Sequence, residues 1–179
     1  MSRYVALLRA INVGGHVVKM TVLRECFESL GFREVETVIA SGNVLFTAAS
    51  ADAAALERRI ERHLAKELGY EVATFLRSPA ELAAIVAHRP FPDVAAVAAG
   101  HSLSVAFLKS APAAPARSAL LELRTPTDDF HVHRREAFWL CRGRTSDSKV
   151  SGARLEKAAG GPATVRNITT VRKLAEAVA

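Results

Sequence analysis

Apolar and polar positions along this chain alternate between two rhythms, one of strands and one of helices. Arg3–Ile11 (RYVALLRAI) is apolar over most of its length and reads as a buried strand, broken by Asn12-Val13-Gly14-Gly15. Leu23, Cys26, Phe27 and Leu30 then share one helix face over Thr21–Leu30, and Gly31 stops that helix. Arg33–Ala40 and Val44–Thr47 read as two strands joined by Ser41-Gly42-Asn43, residues that accommodate a tight reversal. Leu56, Ile60, Leu64 and Leu68 recur at steps of four, which predicts a helix over Asp52–Leu68 capped by Gly69, with a strand at Tyr70–Leu76. The order is βαββαβ, the ferredoxin-like split unit.

Ser78-Pro79-Ala80-Glu81 has the spacing of a capping box and predicts a helix over 79–88, ended by His88-Arg89-Pro90. The first pattern then recurs: a strand at Leu103–Lys109, a helix at Pro112–Leu123, strands at Asp128–His133 and Glu136–Cys141, a helix at 151–159 and a short strand at Ala163–Arg166. Ile168, Val171, Leu174, Ala175 and Val178 mark a last amphipathic helix. The fold class expected is α+β: duplicated ferredoxin-like (βαββαβ) units with antiparallel sheets, plus a bridging helix and a C-terminal helix. The divisions are 1–77, 78–102 (bridging helix and linker, the linker being 91–102), 103–167 and 168–179.

Composition narrows the classes. With 179 residues, 50% hydrophobic and 23% charged, the chain is neither disordered nor fibrous. No apolar run approaches the roughly 20 residues of a membrane span, and the N-terminal run reads as a strand rather than a signal peptide. Net charge is +6, which disfavours a cationic substrate. Residues 134–179 hold ten Lys+Arg against four Asp+Glu, so the last quarter equals the whole net charge. Clustered cations raise the local concentration of phosphates and carboxylates, although a basic surface also serves solubility alone. Cys26 and Cys141 form no CxxC pair and read as buried thiols of a cytoplasmic protein.

Three sets of residues carry candidate chemistry. Arg9, Asn12, Gly14, Gly15 and Lys19 form a glycine loop after the first strand. Backbone N–H groups there, and the following helix N-terminus, suit an anion. The spacing is neither a Walker loop nor a dinucleotide fingerprint, and a turn needing positive φ is the plainer use of the glycines. Ser41, Gly42 and Asn43 make the hairpin turn. Lys149, Arg166 and Asn167 lie in the basic quarter, where Arg forks suit phosphate or carboxylate and Asn167 also stands where a helix N-cap belongs. Asp129, His131 and His133 alternate on one strand face, but three such ligands with nothing converging on them lead us to expect no metal and no cofactor. No GxSxG, HExxH or Ser-His-Asp pattern is present.

RYVALLRAINVGG with Lys19-Met20 after it, then SGNVLF, SDSKVSGARLEKAAGGPATVRN and the final VRKL, together resemble the domain-of-unknown-function 1697 family over essentially the whole chain. The resemblance implies a cytosolic, mostly bacterial protein with a duplicated ferredoxin-like fold and no established activity. It departs at two places. The family's usual glycine before Ile-Asn-Val-Gly-Gly is Ala10, and its usual Arg-Asn-Trp-Asn-Thr reads Arg166-Asn167-Ile168-Thr169-Thr170. The function expected is a binding module for a phosphate-bearing ligand, a nucleotide or nucleic acid, held by the glycine loop and basic residues. A non-catalytic oligomerisation or partner module and a small metal-independent enzyme on an anionic metabolite are the alternatives. These features suit an enzyme and a non-enzyme, a monomer and a homodimer alike.

Overall fold

The computed structural model describes every residue except 40, 41 and 93–99, so most of the expected linker lies outside the described residues. The chain divides into one unit of Met1–Val86 with Arg172–Ala179 and a second of Ala87–Val171. The first runs β1 (Ser2–Leu8), α1 (Met20–Ser29), β2 (Arg33–Thr37), β3 (Asn43–Ala48), α2 (Ala53–Leu68) and β4 (Thr74–Arg77), followed by α3 (Pro79–Ala87). Its sheet is antiparallel with order β2-β3-β1-β4. The second runs β5 (Ser102–Leu108), α4 (Ala114–Leu121), β6 (Asp128–His133), β7 (Glu136–Cys141), a 3-10 turn (Thr145–Asp147), α5 (Gly152–Ala159) and β8 (Ala163–Asn167). Its sheet repeats the first in order β6-β7-β5-β8, again antiparallel. The last helix, α6, spans Ile168–Val178. This is the duplicated ferredoxin-like α+β architecture that the apolar pattern predicts.

Side-chain alternation builds each core. Tyr4, Ala6 and Leu8 of β1 pack with Leu23 and Phe27 of α1 and with Leu56, Ile60 and Leu64 of α2. In the second unit Ala106 and Leu108 of β5, Phe130 of β6 and Trp139 of β7 pack with Leu120 and Leu155 of the helices. The central strands are buried on their other face as well, at Val5, Leu45, Val105 and Phe138. That is why they read as continuous apolar runs without clean alternation. Asp52 accepts from Ala55 N–H to cap α2, and Gly69 ends it in the left-handed region. Ser78 and Glu81 bond reciprocally, Glu81 N–H to Ser78 Oγ and Ser78 N–H to Glu81 Oε2, so the capping box forms.

Three strand boundaries move by three or more residues. β2 stops at Thr37, short of the expected Ala40, and Ile39 beyond it has φ +51°. β1 stops at Leu8, before the expected Ile11, because Ala10 turns to φ +52°. β4 starts at Thr74 and not at Tyr70, whose hydroxyl instead donates to the Ile11 carbonyl at 2.9 Å. The strand pairing also shows which residues of the repeats are equivalent. Val5 faces Arg77 as Val105 faces Arg166, and Leu8 faces Thr74 as Leu108 faces Ala163. Both last strands are sheet edges, and a helix glutamate reaches each one. Glu61 accepts from Thr74 N–H at 2.8 Å, and Glu156 from Ala163 N–H at 3.0 Å.

Candidate functional site

The C-terminal end of β1 gathers the first two candidate sets. Leu8 N–H donates to the Gly42 carbonyl at 2.8 Å. Gly42 has φ +82°, and a Cβ there would lie 2.9 Å from Ile11 Cγ2 and 3.1 Å from Leu8 Cβ. Glycine is therefore required twice over, for the turn and for close packing on the strand end. Asn43 faces inward at 2% exposure, its amide donating to the Val38 and Ile39 carbonyls. Its visible work is to pin the turn. Ser41 lies outside the described residues.

The glycine loop itself stands open. Asn12 Oδ1 accepts from Val18 N–H at 2.7 Å and closes the loop. Gly14 and Gly15 have φ +70° and +85°, and a Cβ at either would meet no described atom within 4 Å, so conformation and not crowding requires them. Lys19 stands at the N-cap of α1 in extended conformation. Among the described residues no side chain caps this helix, and its first turn holds no acid, so its N-terminal partial positive charge faces outward. Arg9 is exposed beside the loop. His16 stacks on Tyr70 with centroids 3.9 Å apart and planes 22° from parallel. A cleft of about 560 Å³ opens here, its walls including Gly15, His16, Lys19, Glu67 and Tyr70. No sequence pattern marked His16 or Tyr70, because their pairing joins a loop to a residue far along the chain.

The third set lies at the other end of its own sheet, where β5 begins. Asn167 Oδ1 accepts from Thr169 N–H at 2.9 Å, so it caps α6, while its amide donates to Ser102 Oγ. Arg166 donates from Nη1 to Thr164 Oγ1 at 2.7 Å and to the Val165 carbonyl, and burial pulls its pKa down to about 10. Arg77 donates in the same way to the Leu76 carbonyl, so this arginine recurs with the repeat. Lys149 is exposed in a loop held by Asp128. Oδ1 of that buried carboxylate accepts from Trp139 Nε1 and Ser148 Oγ, and Oδ2 from Thr125 and Thr127. Burial would raise its pKa, and the four side-chain hydrogen bonds outweigh burial and hold it below the usual value.

A cluster of three histidines was only two-thirds visible in the sequence. His131 and His133 do share a face of β6, but Asp129 is taken by Arg124 at 2.8 Å. His88, just past α3, comes in instead: its Nε2 is 3.2 Å from His131 Nε2, and its ring stacks on His133 at 4.1 Å. Burial first, then the charges of the other two rings, lowers the His88 pKa. The His131 pKa is lowered by burial first, then by His133, Arg117 and Arg124.

Residues 1–138 match a family model described as a protein of unknown function, DUF1697. The conserved bacterial protein SP0830 from Streptococcus pneumoniae shares the fold along the whole length. Its TM-score is 0.77 at 26% identity, covering 99% of this chain and 98% of that one. Among proteins of curated function, none matches. No helix among the described residues is long and apolar enough to cross a membrane.

Proposed function

We propose that this chain, which belongs to the DUF1697 family of proteins of unknown function, is a binding module for a phosphate-bearing ligand, a nucleotide or nucleic acid. One observation carries the reading: an uncapped helix N-terminus, preceded by Lys19 and by two left-handed glycines, opens on a cleft walled by a stacked His16–Tyr70 pair. Backbone N–H groups and the ammonium supply the anion contacts. The aromatic pair supplies a platform for a base. Arg9, Asn12, Gly14 and Gly15 belong to the same loop, while Gly42 packs on Leu8 and Ile11 where that loop begins and Asn43 pins the neighbouring turn. Lys149, Arg166 and Asn167 are secondary, since Arg166 and Asn167 already have structural partners. Both free cysteines are buried, in keeping with a reducing cytoplasmic setting.

The test is binding of a labelled nucleoside triphosphate and a labelled single-stranded oligonucleotide at low salt. Saturable, salt-sensitive binding is expected. Lys19→Ala weakens both ligands, and for the oligonucleotide it lowers the salt slope by about 1. Absence of saturable binding, or affinity indifferent to Lys19→Ala, overturns the reading.

A second reading has its own observation. Val13 and Val17 are 62% and 84% exposed around the same loop, which suits a protein partner or a second copy. Under that reading Val13→Glu, outside the lining of the cleft, abolishes an association seen by sedimentation.

A further inference from the structure

We propose that His88, His131 and His133 form a binding site for a borderline transition-metal ion, Zn²⁺ or one of its neighbours, with water completing the coordination. Their ligand atoms all lie within 4.8 Å of one another. Two imidazole nitrogens bound tetrahedrally at 2.0–2.1 Å must be about 3.3 Å apart, and Nε2 of His88 and of His131 are 3.2 Å apart. Hydrogen bonding alone explains a pair of rings at that distance, one nitrogen donating to the other. It does not explain a third ring drawn from a strand end to the same point.

Two rigid elements set the constellation. β6 places His131 and His133 two residues apart on one face, and the end of α3 delivers His88. Phe138 lies 5.2 Å from His88 and Phe91 6.4 Å from His131, giving two apolar walls, while Arg117 and Arg124 stand on the side of His131. The stacked His133 ring must turn about χ2 to aim a nitrogen at the ion, a soft motion for an imidazole. Asp129 is not the fourth ligand, because Arg124 and Arg142 hold its carboxylate. Three imidazoles without carboxylate or thiolate favour zinc, copper or nickel over magnesium or calcium. The sequence spacing pointed away from a metal because His88 is 43 residues from His131. This inference stands apart from the phosphate-ligand reading, which concerns the other unit.

The experiment strips the full chain with a chelator and titrates Zn²⁺ against a chromophoric competitor, with Co²⁺ spectra as a second readout. One Zn²⁺ per chain is expected, visible d–d bands with Co²⁺, and no competition from Mg²⁺. His131→Ala and His133→Ala each weaken Zn²⁺ by about 100-fold or more, beyond the loss typical of an outer-shell change. His63→Ala changes nothing. Circular dichroism monitors folding. Should His131→Ala unfold, His133→Ala at the strand end decides. Binding that survives in the folded His133→Ala variant, or weak uptake without stoichiometry, overturns the proposal.

Discussion

Ala10 is where β1 gives way to the glycine loop, and it does so at φ +52°. An L-residue in that region crowds its Cβ against the backbone at a cost of roughly 1–2 kcal/mol. The resemblance that puts glycine at this position thus has a physical basis, and this chain carries strain in its place. Ala10→Gly should stabilise the protein by about 1 kcal/mol, raising Tm by about 2–4 °C in a thermal melt. The other departure, Ile168, is 3% exposed, so the position that usually holds Trp is turned into the core here. It offers no stacking surface, and Asn167 still caps the helix behind it.

At the level of elements, helices and strands were readable wherever apolar spacing had a single cause. α2 and the capping box of α3 are local events, written in residues three and four apart. β6 and β7 match their expected limits because Arg134-Arg135 interrupts two short runs. Boundaries set by a single backbone angle or by a distant partner were not readable. β1 ends early for a backbone angle at Ala10, and Tyr70 leaves its strand for the Ile11 carbonyl. The edge glutamates belong to the same class: nothing in helix spacing says that Glu61 and Glu156 close strand N–H groups. Glu61→Ala should cost about 1–3 kcal/mol by leaving Thr74 N–H without this acceptor. It should also raise light scattering on heating, since an open edge templates pairing between molecules. Glu61→Gln, which keeps an acceptor, restores most of both.

For the whole molecule, the duplication explains why so much of the architecture could be read and so little of the chemistry. A repeated βαββαβ pattern is redundant, and each copy supports the reading of the other. A site breaks that redundancy. The glycine loop is at the C-terminal end of β1, whereas Lys149 and Asn167 belong to the N-terminal end of β5, so the candidate residues are not repeat equivalents. The histidine cluster likewise draws on the end of α3 and on β6, which no repeat relates.

One allocation of chain bears on how the protein is made. Residues 172–179 of α6 belong with the first unit, although the entire second unit precedes them in the chain. Leu174 and Val178 of that segment are buried. A chain ending at Val171 should therefore melt at a lower temperature and exchange amides faster in the first unit than the full chain does. During synthesis, the unit begun first receives its final piece only after its twin has emerged. Translation order and completion order are thereby reversed, and the nascent first unit waits, partly uncovered, within reach of chaperones.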